Sequence, residues 1–128
     1  MKEQRLHERY EVKEGTLVLI GPDYVRTGRI VNMGHGGLSF LYRAKNKIKD
    51  NQLGVSIIFD GHKVAKYGPF KLNANIVNNN EVEEENPGNP ATMNRYHIEF
   101  NDLSYHQQLW LEDCIRNHTT GPVKSVKD

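Results

Sequence analysis

The stretch Phe70-Lys71-Leu72-Asn73-Ala74-Asn75-Ile76 alternates apolar and polar side chains without a break. Successive side chains of an extended strand point to opposite faces, so this pattern describes a strand with one face in a core and one in water. Two more runs repeat it. Leu53, Val55, Ile57 and Phe59 are interleaved with Gly54, Ser56 and Asp60, and Tyr96, Ile98 and Phe100 with Arg95, His97 and Glu99. Weaker runs at residues 16–20, 25–31 and 38–42 bring the total to about six short strands with turn residues between them. An open sheet of such strands would leave long unpaired edges, which closure removes. The expected class is therefore all-β: a six-stranded antiparallel barrel of split or Greek-key type, followed by one α-helix.

That helix is signalled near the C-terminus. Ser104 followed by Gln107 is a capping box, in which the hydroxyl accepts from an orphan amide and the glutamine reaches back. Leu111, Cys114, Ile115 and His118 then share one face, with Trp110 beside them, and Gly121-Pro122 ends the run. The spacing predicts a helix over about residues 104–118 that covers the barrel or meets a partner, because a helix this short is unstable alone. Residues 78–94 (NNNEVEEENPGNPATMN) read as a long polar loop between the fifth and sixth strands, broken by Pro87 and Pro90. Residues 1–14 are mostly charged and read as a flexible arm, residues 15–120 as the barrel with its helix, and residues 121–128 as a tail.

The bulk properties exclude several classes. A chain of 128 residues has room for one core, and a formal net charge of +1 gives no overall attraction to nucleic acid or membrane. Binding of DNA or RNA is not expected, since a single-strand-binding barrel needs a basic groove with exposed aromatics. No run has the length to span a bilayer, and MKEQRLHERY lacks the apolar core of a signal peptide. Cys114 is the single cysteine, which excludes an internal disulfide and suits a reducing compartment. The reading is a soluble cytoplasmic domain, either monomeric or homodimeric. No nucleophile elbow, phosphate loop or HExxH pair is present, and His7, His35, His62, His97, His106 and His118 are scattered. No catalytic residue, metal site or cofactor is expected, and the chain is read as a binding module and not an enzyme.

Two pieces of sequence in a fixed order carry the chemistry. One is Arg5-Leu6-His7-Glu8-Arg9, two arginines four apart on the arm. The other is Asn32-Met33-Gly34-His35-Gly36-Gly37, a glycine-rich turn between the strand segments at residues 29–31 and 38–42. Taken singly, each has a plainer reading, the first as a solvated charged face and the second as a β-turn needing positive φ. Together, in this order and with six strands and a last helix, they resemble the PilZ domain family, whose RxxxR motif precedes the first strand and whose (D/N)xSxxG motif lies on the turn after the second. Arg5 and Arg9 match the first motif, and Asn32 and Gly37 match the ends of the second. The run Tyr96-His97-Ile98-Glu99-Phe100-Asn101-Asp102-Leu103-Ser104 is similar to the family's final strand entering its helix. The likeness covers the chain from Arg5 to about Asn117.

The resemblance implies a receptor for cyclic di-GMP. That ligand offers two phosphates and the paired O6 and N7 acceptors of guanine, which the planar arginine fork of Arg5 and Arg9 suits. Asn32 would present its side-chain oxygen to a guanine N–H, and Gly34 and Gly37 would let backbone amides come close. His35, Gly36, Arg29 and Arg95 are further candidates for ligand contact, each with an ordinary reading as a turn or outward strand residue. One departure stands out: Gly34 occupies the place of the family's serine, and one lost hydrogen bond to the ligand costs about 1 kcal/mol. The second reading that this departure opens is a PilZ-like adaptor that binds no nucleotide and works through protein contact alone.

Overall fold

The computed structural model describes residues 8–43, 48–59, 71–84 and 91–123. In chain order they form β1 (Arg9–Val12), β2 (Leu17–Ile20), β3 (Arg26–Gly34), β4 (Gly37–Arg43), β5 (Gln52–Ile58), β6 (Lys71–Glu84) and β7 (Ala91–Phe100). Helix α1 (Tyr105–His118) and β8 (Thr119–Pro122) follow. Six of the strands form a closed antiparallel ring in the order β2-β5-β6-β7-β4-β3, with β3 returning to β2. β4 and β5 are not neighbours, so the chain crosses the barrel to join them. The expected six-stranded barrel with one C-terminal helix is the architecture found.

The alternation fills the core. Leu53, Val55, Ile57 and Phe59, Leu72 and Ala74, and Tyr96 and Ile98 are buried, as are Val18, Ile20, Met33, Leu38 and Phe40 from the earlier strands. Each large side chain withdrawn from water contributes roughly 1.5–3 kcal/mol. Phe40 stacks on Tyr96 with ring centroids 5.4 Å apart, and the Tyr96 hydroxyl accepts the Ile48 amide at 3.0 Å, so the phenol is satisfied inside the core. Helix α1 closes one side of this core. Ser104 Oγ accepts from the Gln107 amide while Gln107 Oε1 accepts from the Ser104 amide, the capping box read from the sequence. Leu111, Cys114 and Ile115 are buried, and His118 stacks on Phe59 at 4.1 Å. Burial, with Asp113 nearby, pushes the Cys114 thiol up to about 12 and keeps it a neutral core group. Among the described residues no helix is long and apolar enough to cross a membrane.

The structure differs from the sequence reading in three respects. Residues 78–94 are largely paired: β6 and β7 continue as a two-stranded ribbon from Ala74 opposite Phe100 to Glu84 opposite Ala91. Backbone pairing needs no apolar face, and Asn78, Asn79, Asn80 and Glu81 are all exposed, so alternation gave no signal there. Second, Arg9–Val12, read as part of the arm, is strand β1, and Thr119–Pro122, read as the helix end and tail, is β8. They lie outside the ring, with β1 on the last residues of β3 and β8 on β1. Third, the connection from β3 to β4 consists of His35 and Gly36 alone. Gly34 and Gly37 are strand residues, and among the described residues the glycines with positive φ are Gly15 and Gly121.

Candidate functional site

β3 has nine residues and, along the edge opposite β4, serves two partners in turn. Its first half, Arg26 to Arg29, pairs with β2, and its last three residues pair with β1, in the register Arg9 opposite Gly34, Tyr10 opposite Met33 and Glu11 opposite Asn32. This brings the two sequence motifs into contact. Arg9 Nη1 donates to Asn32 Oδ1 at 3.0 Å across 23 residues of chain, with the asparagine 7% exposed. A charged donor on a mostly buried amide oxygen is a strong version of this bond.

The glycines explain how the strands come so close. A Cβ built on Gly34 would collide with the Glu8 carbonyl oxygen, and one on Gly37 with the carbonyl oxygen of Ile98. Glycine is required at both positions by the approach of a neighbouring backbone and not by positive φ. At Gly34 the consequence is specific. With β1 seated as it is, there is no room for the serine side chain that the related motif carries.

A bulge between Ile30 and Asn32 shifts the phase of β3. Arg29 and Asn32, three apart, therefore both face outward, while Ile30 and Met33 point into the core. Reading across the sheet, Asn32 lies opposite Ser39 on β4, and Ser39 lies opposite His97 on β7. Ser39 Oγ and His97 Nδ1 are 2.8 Å apart. One row along, Arg29 lies opposite Leu41, and Leu41 opposite Arg95. The outer face thus gathers Arg9, Asn32, Gly34, Gly37, Arg29 and Arg95, with Glu11 and Glu99 on the rows beside Asn32 and Gly37. Arginine forks beside an amide and bare backbone suit a ligand with phosphates and hydrogen-bonding bases.

Not every candidate joins this face. His35 and Gly36 instead line a cavity of about 490 Å³ with Phe100, Asp102, Leu103, Gln108, Leu111 and Glu112, between the β3–β4 link and α1. Arg5 lies outside the described residues. Ser39 and His97 were not singled out from the sequence. Their signal was present in phase, since each alternates with buried neighbours, Leu38 and Phe40 in one case and Tyr96 and Ile98 in the other. Among the described residues no group of three His, Cys, Asp or Glu side chains is placed to hold a metal ion.

The comparisons with known proteins agree with one another. The family model described as PilZ domain matches residues 3–117. Among solved structures, the PilZ domain of YcgR from Escherichia coli with c-di-GMP is similar with a TM-score of 0.69 at 14% identity, over 91% of this chain and 92% of that one. The MrkH–c-di-GMP complex of K. pneumonia gives a TM-score of 0.62 at 12% identity, over 91% and 52%. The inhibitor of motility MotI/DgrA of Bacillus subtilis gives 0.58 at 16%, over 90% and 51%. The chain thus spans about half the length of the latter two. At these identities the likenesses show the fold alone. No curated protein matches the sequence.

Proposed function

The chain belongs to the PilZ domain family, and from that premise we propose that it is a receptor module for cyclic di-GMP. The observation that carries this reading is the bond from Arg9 Nη1 to Asn32 Oδ1, which joins the arginine motif to the asparagine–glycine motif on one outward face. The similar structures of the YcgR domain with c-di-GMP and of the MrkH–c-di-GMP complex support it. In this reading Arg5 and Arg9 hold phosphates and guanine edges, Asn32 accepts from a guanine N–H, and Gly34 and Gly37 let the ligand approach the backbone.

The ligand replaces an internal bond. Asn32 Oδ1 is engaged by Arg9 in the free chain, so a guanine N–H takes over the asparagine while the guanidinium turns to the ligand. Because β1 is already paired with β3, Arg9 is positioned by folding, and binding need not order it anew. Output follows from the same strand. β1 pairs with β8, which directly follows α1, and Val123 N donates to Arg9 O at 3.0 Å. A shift of Arg9 toward the ligand therefore reaches the end of α1 and alters the surface offered to a downstream protein. The module binds and signals without chemistry of its own.

The test is isothermal titration of the chain with cyclic di-GMP, with GTP and cyclic di-AMP as controls. Saturable binding of cyclic di-GMP alone is expected, and Arg5→Ala or Arg9→Ala should abolish most of it. Absence of heat and of any thermal shift at high ligand would overturn the receptor reading in favour of an adaptor acting through protein contact. Binding by both variants equal to the parent's would remove the arginines from the site.

A further inference from the structure

The register that joins Asn32 to Ser39 and His97 also carries the outer face past the family's motifs and on to β7. Arg29 and Arg95 stand on either side of Leu41, their Cα atoms two strand spacings apart, about 10 Å. From Asn32 to Arg95 is two strands across and one row along, about 12 Å, a span that an arginine and an asparagine side chain close from both ends. Within this face most polar groups are occupied. Arg9 is bonded to Asn32, and Ser39 to His97. Arg95 differs: its Nε is buried and has no hydrogen-bond partner among the described residues.

That condition is costly. A guanidinium keeps its charge at any ordinary pH, so it cannot relieve the loss of water by releasing a proton. A buried N–H without an acceptor is destabilising, and folded proteins hold few of them. Nε itself is shut off from solvent where it lies, but Arg95 as a whole is half-buried on an open sheet face, so a turn of its side chain toward an acceptor arriving from solvent would bring the guanidinium within reach. Its backbone neighbours Asn94 and Tyr96 point inward and are buried, which fixes its side chain on the outer side.

We propose that the ligand face extends across β4 to β7 and that Arg95 is a specificity-determining contact there, its fork taking the acceptor edge of a guanine or a phosphate of the cyclic dinucleotide. The inference rests on the receptor reading given above. It assigns Arg9 and Arg95 to opposite ends of one ligand, with Asn32 and the Ser39–His97 pair beneath its middle. Nothing in the two family motifs points to Arg95; it is the sheet register that places it.

The experiment compares the full chain with Arg95→Ala, Arg95→Gln and Arg95→Lys by titration with cyclic di-GMP, together with the melting temperature of each free protein. Loss of the arginine should weaken binding about tenfold or more, the scale of one charge-assisted hydrogen bond. The free-chain melting temperature should stay level or rise, because an unsatisfied donor has been removed. Lysine keeps the charge without the fork and should remain several-fold weaker than the parent. If the parent binds and the alanine and glutamine variants stay within twofold of it, the inference fails while the receptor reading stands. If both variants lose melting temperature in step with binding, Arg95 is structural and the inference fails likewise. If the parent itself does not bind, the receptor reading falls, and this inference with it.

Discussion

The β3–β4 and β6–β7 hairpins both carry polar sequence that alternation leaves unexplained, yet the fold treats them in opposite ways. At the β3–β4 end the residues Asn32, Gly34, Gly37 and Ser39 have a strand on each side, β1 beyond β3 and β7 beyond β4. Asn32 and Ser39 are consequently buried although they point away from the core, at 7% and 1% exposed. At the β6–β7 end, β5 stops opposite Asn75, and beyond that point β6 has a strand on one side alone among the described residues. Val77 is 52% exposed there and the asparagines after it are solvated. Polar residues walled in by neighbours must be bonded and become a rigid, preorganised surface. Polar residues on a one-sided ribbon keep water as their partner and specify little.

Several substitutions test that contrast. Gly37→Ala drives a methyl into the Ile98 carbonyl between two paired strands, neither of which can move away. A loss of about 3 kcal/mol is expected, read as a fall of roughly 10 °C in melting temperature. A fall of a degree or two would show that the β4–β7 contact yields and that this end is no more rigid than the ribbon. Gly34→Ser is expected to cost less, about 2 kcal/mol, because β1 lies outside the ring and can lift from β3. Hydrogen exchange should locate the damage, with the amides of Arg9, Tyr10 and Glu11 losing protection while those of β4 and β7 keep theirs. Unchanged protection in β1 would show that the missing serine has nothing to do with seating the strand.

A double-mutant cycle on Arg9→Ala and Asn32→Ala measures the bond itself. The coupling expected is about 1 kcal/mol in the unfolding free energy. A coupling near zero would mean that the two motifs merely lie side by side. The smallest effect belongs to the ribbon: Asn79→Ala should change stability by less than about 0.5 kcal/mol and leave ligand titration unaltered. A larger change there would blur the distinction between the two hairpins.

The serine-to-glycine departure at position 34 gains a second meaning from this comparison. As sequence it reads as one ligand hydrogen bond forgone. In the fold it is also the condition for β1 to pair with β3, and so for Arg9 to be held beside Asn32 before any ligand arrives. A weaker contact set and a preorganised arginine act on affinity in opposite directions.

What the sequence determined by itself was whatever depends on local periodicity and local hydrogen bonding. The alternation at residues 53–59, 72–76 and 96–100 marked barrel strands, because a buried face imposes period two on any strand beside a core. Ser104 and Gln107 marked the helix start, because a capping box closes within four residues. The motif residues Arg9, Asn32, Gly34 and Gly37 were legible as a spaced pattern. Only the tertiary structure decided the rest. Strand β1, strand β8 and the β6–β7 ribbon bury little apolar surface of their own, so their pairing leaves no periodic trace. The bulge that turns Arg29 and Asn32 to one face follows from the register of β3 against β4, and the Ser39–His97 pair and the buried Nε of Arg95 follow from register between strands far apart in the chain. Register is a property of two segments at once, and no reading of either alone contains it.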